Sequence, residues 1–178
     1  MRDPLKEYDI SFTGLKAGKH HFFYKIDKKF FDAFGYDDLF GSDVDVTVDL
    51  NKKTNMLEWQ FNATGTVEVA CDVSNEPYLQ PVENSFDIIV KFGTEYNDDN
   101  EELLILPYEE HKLNIAQYIY ELIVLAIPKK RVHPGVLDGT LKSEIVDKLK
   151  ELHPQNHKEQ DIDPRWSELK KLVTNKKP

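Results

Sequence analysis

The chain's one cysteine, Cys71, is followed three positions later by Ser74. A Cys-x-x-Cys pair supplies half of a tetrahedral zinc or iron–sulfur site, because two thiolates on one tight turn converge on a single ion. Cys71-Asp72-Val73-Ser74 offers one sulfur, and no disulfide closes within the chain. The histidines do not make up the deficit. His20 and His21 are adjacent and face opposite sides in a strand. His153 and His157 have a helical ligand spacing, but Pro154 interrupts it; His111 and His133 are scattered. Asn97-Asp98-Asp99-Asn100-Glu101-Glu102 is rich in oxygens yet lacks the ligand spacing and central glycine of a calcium loop, so it reads as an exposed hairpin or connecting loop. Gly14-Leu15-Lys16-Ala17-Gly18-Lys19 has a lysine but the wrong glycine spacing for a phosphate loop, and reads as a hairpin turn. No serine has the context of a strained nucleophile elbow. Glu121, one turn from Gln117 in an apolar helix, reads as an acid held by a structural hydrogen bond, with catalysis as its sharper alternative. These residues assign no catalytic group, no cofactor and no metal.

The elements that would position them are strands first and helices later. Val44, Val46, Val48 and Leu50 alternate with Asp43, Asp45, Thr47 and Asp49, the pattern of a strand with one wet face. Asn51–Asn55 turns the chain into a second strand whose inner phase is Leu57, Trp59, Phe61, Ala63, Val67, Val69 and Cys71. Gly65 falls in that phase and predicts a bend or bulge. Cys71 shares the core phase, so a buried, inert thiol is its plain reading. Phe86, Ile88, Val90 and Phe92 continue the β pattern, and Tyr8–Leu15 and His20–Ile26 are weaker strands. Lys28–Phe34 predicts a short helix capped by Asp27 and ended by Gly35, followed by a loop pressing Leu39 and Phe40 onto the body. Asn114 and Gln117 suggest a capping box, with Leu113 and Tyr118 as a staple, for a helix from Ile115 to about Ile127 that stops before Pro128. Its apolar girth places it against the sheet, sealing the inner face and leaving no reaction chamber. A break at 129–139 precedes a helix with Leu141, Ile145, Leu149 and Leu152 on one face. After a polar linker, Asp163 caps a last helix, Pro164 opens it, and Trp166, Leu169, Leu172 and Val173 form its stripe. The expected class is α+β: a curved antiparallel sheet or partly open barrel packed on an apolar helix, with a helical C-terminal segment.

Composition narrows the function classes. With 178 residues, 40% hydrophobic and 31% charged, the chain is a globular protein with one good core or two small ones. No apolar run is long enough to span a bilayer, and Met1-Arg2-Asp3-Pro4 has no secretory h-region, which points to the cytoplasm. Asn62-Ala63-Thr64 is then a sequon that never meets the glycosylation machinery. The net charge of −9 is uneven: residues 1–128 carry 11 Lys/Arg against 24 Asp/Glu, and residues 129–178 carry 12 against 8. This division suggests a β-rich body at 1–128 and a mixed-charge helical tail at 129–178. The acidic body disfavours nucleic acid, while the tail can touch a phosphate backbone locally through Lys129, Lys130, Arg131, Arg165, Trp166, Lys170 and Lys171. An ordinary solvated surface is the plainer reading of those charges.

The order of certain segments resembles a known family. Val69-Ala70-Cys71-Asp72-Val73-Ser74-Asn75-Glu76-Pro77 ends the long strand; an acidic loop follows; Leu125-Ala126-Ile127-Pro128 ends the apolar helix; Asp163-Pro164-Arg165-Trp166 leads into Leu169. This order is similar to the YceD family, the large ribosomal RNA subunit accumulation proteins, over roughly residues 8–175. The longer polar regions resemble a cysteine-poor, Bacteroidetes-like branch. The motif positions are Cys71, Ser74, Pro77, Pro128, Asp163, Pro164 and Arg165. Relatives carry Cys-x-Arg-Cys-Leu at the strand end; here Cys71 keeps the first cysteine, while Val73, Ser74 and Asn75 replace the rest. The cysteines that relatives place after the helix-ending proline are also missing from Arg131–Gly139. The metal knuckle implied for them therefore does not carry over, and packing around Leu137, Leu141 and Ile145 is expected in its place. The resemblance implies a non-catalytic role in accumulation or processing of large-subunit ribosomal RNA. Its partners would be a ribosomal or rRNA-processing protein and, through the tail, an rRNA precursor. An enzyme with a cryptic site near Glu121 and a generic protein-interaction domain remain the alternatives.

Overall fold

Alternation of apolar and polar residues builds the central sheet. The computed structural model describes residues 4–152. A 3₁₀ turn at Pro4–Tyr8 leads into β1 (Asp9–Ser11), β2 (Gly18–Ile26), α1 (Lys28–Ala33), β3 (Gly41–Lys52), β4 (Met56–Ala70) and β5 (Pro77–Gly93). Then come β6 (Asn97–Asn100), β7 (Leu103–Pro107), β8 (Lys112–Asn114), α2 (Ala116–Ala126), α3 (Pro134–Leu137) and α4 (Glu144–Leu152). The class is α+β, with an open six-stranded sheet in the order β2-β3-β4-β5-β7-β6 and a small β1-β8 pair. Residues Met1–Leu141 make one compact unit, and α4 belongs to the segment that follows. Among the described residues, no helix is long and apolar enough to cross a membrane.

The inner face follows the expected phase. Leu50, Trp59 and Ile88 share one cross-strand row, and Val48, Phe61 and Phe86 the next. Val44, Val46, Val48, Leu50, Leu57, Trp59, Phe61, Ala63, Val67, Val69 and Cys71 are all buried. Each large side chain so buried contributes on the order of 1.5–3 kcal/mol. α2 packs on β4 and β5 through Ala116, Ile119, Leu122 and Ile123. The sheet is small or polar beside it: Ala63 pairs with Asn84, whose Nδ2 donates to Leu122 O at 3.0 Å.

Gly65 makes no bulge. Pairing runs one to one through Val44, Gly65 and Val82. A Cβ at Gly65 would lie 2.3 Å from Asp43 O and 2.6 Å from Val44 Cα, so the glycine is there for close backbone approach.

The sheet is not wholly antiparallel. The chain leaves β5, runs back as β6 on the outside, and returns as β7 parallel to β5, pairing Ile89–Gly93 with Leu103–Pro107. Composition explains this order. β6 is Asn-Asp-Asp-Asn and wholly exposed, so it suits an edge, while buried Leu104 and Leu106 place β7 beside the core. The Asn97–Glu102 run is thus part of an exposed hairpin.

Other expectations are corrected locally. Gly14–Lys19 joins no hairpin, because β1 pairs with β8; Lys52 Nζ instead holds this loop by donating to Phe12 O and Leu15 O, each at 2.8 Å. Asp27 caps α1 by accepting from Lys29 N at 3.0 Å. Leu39 is buried, but Phe40 is 57% exposed. No capping box opens α2: Asn114 Oδ1 accepts from Ala116 N at 3.0 Å, while Gln117 Nε2 donates to Glu121 Oε1 at 2.6 Å. The break after Pro128 contains the short helix α3. In α4, Val146 is buried, whereas Ile145, Leu149 and Leu152 are exposed. The helix predicted from Asp163 lies outside the described residues.

Candidate functional site

Cys71 begins a tight turn that joins β4 to β5. The turn is closed by Cys71 N donating to Glu76 O and Asn75 N donating to Cys71 O, each at 2.9 Å. Asn75 takes a positive φ of 59°, which a short amide side chain tolerates. Three backbone N–H groups converge on Cys71 Sγ: Val73 and Ser74 at 3.4 Å, and His133 at 3.2 Å. Ser74 is 2% exposed, and its Oγ accepts from Glu76 N at 3.4 Å.

A second segment locks this turn. Asp72 N donates to Arg131 O, and Arg131 N donates to Asp72 Oδ2, both at 2.7 Å. The guanidinium reaches Asp72 Oδ1 from Nε at 3.3 Å and from its terminal nitrogen at 3.2 Å. His133 caps α3, its Nδ1 accepting from Gly135 N at 2.8 Å, and its ring stands edge-on to Tyr78 with centroids 5.5 Å apart. Of the three residues expected to pack in place of a metal, Leu137 is 77% exposed and Ile145 is exposed, while Leu141 is half-buried and its N–H donates to Gly135 O at 2.8 Å. The contacts on the Cys71 turn itself are hydrogen bonds.

The donor set does not fit a tetrahedral metal. Cys71 is the one sulfur, His133 Nδ1 is engaged by Gly135, and Asp72 is engaged by Arg131. Among the described residues, no three His, Cys, Asp or Glu side chains are grouped to hold an ion.

Electrostatics give the turn two pH signatures. Burial pushes the Cys71 thiol up, but the N–H donors of His133, Ser74 and Val73 and the Ser74 side chain outweigh it and bring it down to about 7. A thiol lowered on folding contributes stability above its unfolded value of about 8.5 and loses it as pH falls through the folded value. The urea midpoint of the native chain is therefore expected to rise relative to Cys71→Ala between pH 7 and 9. At neutral pH the variant, which orphans those donors, is expected to be about 1–3 kcal/mol less stable. The Arg131 backbone N–H, with the guanidinium behind it, lowers the Asp72 carboxyl. Its contribution is present above the ordinary carboxylate range and is lost as pH falls through the lowered value. Asp72→Asn is expected to flatten that acid-side loss, read as urea midpoint against pH.

The structure brings Cys71, Ser74 and Arg131 together. Lys129 and Lys130 are exposed beside them, Pro77 opens β5, and Pro128 follows α2. Asp72 and His133 join the site without any sequence signal beyond their neighbours. Asp163, Pro164, Arg165, Trp166, Lys170 and Lys171 lie outside the described residues.

Glu121 belongs to a different place. It is exposed and borders a concavity of about 560 Å³ along α2. Phe86 and Tyr118 stack there with centroids 6.1 Å apart at 19°. Burial pushes the Tyr118 hydroxyl up to about 12, with Tyr96, Asp98 and Glu121 adding to the effect. Sequence reading did not foresee this groove, because its walls come from distant segments.

Comparison with curated proteins and with solved structures found no match. A scan against family models did. The model described as large ribosomal RNA subunit accumulation protein YceD matches residues 59–173. The match starts at Trp59 and takes in the Cys71 turn, α2 and the Arg131–His133 segment that closes on it. It leaves out residues 1–58, including β1 to β3, which the resemblance was expected to reach. With well over half its length covered, this chain belongs to the YceD family.

Proposed function

We propose that this chain is a non-catalytic factor supporting the accumulation or processing of large-subunit ribosomal RNA, and that it works in the cytoplasm as an adaptor between protein and RNA. The observation that carries this reading is the family match through the Cys71 turn and the segment docked on it. The charge division supports the adaptor role. Asp43 and Asp45 stand exposed along β3, with Asp49 half-buried beside them, a surface that attracts basic proteins and repels phosphate. Residues 1–128 would face a ribosomal or rRNA-processing protein. The tail at 129–178 would meet the precursor RNA through Lys129, Lys130, Arg165, Trp166, Lys170 and Lys171, with Arg131 holding the turn.

Affinity capture from native cytosol, with bound protein and RNA both identified, tests this directly. The expected result is recovery of a large-subunit ribosomal or processing protein with precursor rRNA, and a fall in the large-to-small subunit rRNA ratio when the gene is removed. An unchanged ratio, with no ribosomal component captured, overturns it. In salt titration, log affinity for the captured RNA should fall by about 0.7–0.9 per decade of salt for each phosphate neutralised.

A further inference from the structure

We propose that the groove between α2 and the β5, β6 and β7 strands is a docking site for an extended, arginine- or lysine-bearing segment of a basic protein. This deepens the adaptor reading, on which it rests, by naming the surface its protein partner would use.

Three features of the groove point to that occupant. Its walls are aromatic: Phe86 stacks on Tyr118 from the sheet side, and Tyr96 is 56% exposed. Its border is acidic: Asp98, Glu101 and Glu121 are exposed around the concavity, and among the described residues no Lys, Arg or His lines it. Those three carboxylates have no ion-pair partner among the described residues. Tyr96 Oη donates to Asp98 Oδ2 at 3.0 Å, and Gln117 Nε2 donates to Glu121 Oε1 at 2.6 Å. Each contact steadies one carboxylate oxygen and leaves the other for a donor from outside.

The chemistry fits a cationic side chain. The aliphatic stem of Arg or Lys packs on the rings, the cation lies against their faces, and its N–H groups reach the carboxylates. About 560 Å³ holds a few such side chains, not a folded domain. A nucleic acid would also stack on the rings, but its phosphates would meet three uncompensated carboxylates.

The test uses the full-length protein, isotope-labelled for NMR, and a synthetic peptide of alternating arginine and glycine. A peptide with citrulline in place of arginine removes the charge and keeps the shape. The expected result is saturable shifts at Tyr96, Tyr118 and Glu121 with the arginine peptide and none with citrulline. Asp98→Asn with Glu121→Gln should weaken binding roughly tenfold, the scale of a lost charged contact. Tyr118 is half-buried, so exposed Tyr96→Ser serves as the ring variant and should also weaken binding severalfold while the spectrum stays folded. No shift in the groove, shifts confined to Asp43, Asp45 and Asp49 on the sheet, or stronger shifts with oligoadenylate RNA would each overturn the proposal. An unchanged rRNA ratio in cells alongside specific peptide binding would remove the ribosomal reading and keep the groove.

Discussion

Trp59→Ala is expected to cost about 3–5 kcal/mol, the range for losing a large aromatic from a core. Trp59 lies on the central strand β4, is 1% exposed, and stacks beside Phe61 with centroids 6.3 Å apart at 15°. A domain is stable by only about 5–15 kcal/mol, so this one truncation removes a large share. Trp59→Phe should behave differently. Trp59 Nε1 is the one buried side-chain nitrogen or oxygen among the described residues with no hydrogen-bond partner. An unpaired buried donor costs about 1–3 kcal/mol. Phenylalanine keeps a ring in the stack and removes that donor, which offsets much of the lost volume. Its net effect is expected within about 1.5 kcal/mol. Urea unfolding of both variants checks this; equal losses would show that the indole nitrogen matters and is not orphaned.

Gly65→Ala is the second large effect. Its new methyl would meet backbone at 2.3 and 2.6 Å, where no side chain can swing away. The β3-β4 pairing must open, at a cost of about 3 kcal/mol. At about 2–4 °C per kcal/mol for a chain of this size, the melting temperature should fall by roughly 6–12 °C. Gly14→Ala is the control: a Cβ there meets nothing within 4 Å, and the change should stay within about 0.5 kcal/mol. If both glycines respond alike, the close approach at Gly65 is not what selects it.

The sheet was legible where period-two alternation was unbroken. Val44 to Leu50 and Leu57 to Cys71 could be read because every second side chain is apolar and the turn between them is polar. β5 was legible only from Phe86, although it starts at Pro77. Gln80 and Asn84 occupy inner-phase positions, and Pro81 argues against a strand interior. Within β5, only Ile89–Gly93 pairs with β7, so Pro81 sits on a stretch without that neighbour, where its missing N–H is tolerated. The β1-β8 pair was not legible: three-residue strands a hundred positions apart leave no periodic trace. At the Cys71 turn, sequence revealed the missing second thiol. It could not reveal the replacement, because the donors on Cys71 Sγ are backbone groups, which every residue has. The groove was hidden for a related reason: Phe86, Tyr96 and Tyr118 each had an ordinary explanation within its own segment.

Synthesis runs from the N-terminus, and the β1-β8 pair turns that direction into a delay. Ile10 emerges early, yet its partner Leu113 is made about a hundred residues later. At about 5–20 residues per second, the first strand waits roughly 5–20 s for a mate. During that interval Tyr8, Ile10 and Phe12, all buried in the finished protein, have no strand β8 to close over them. A nascent chain stalled before Lys112 can still set Tyr8 on Tyr24 and Phe30 and Phe12 on Phe92, but the Asp9–Ser11 strand edge stays unpaired, a natural handle for a chaperone.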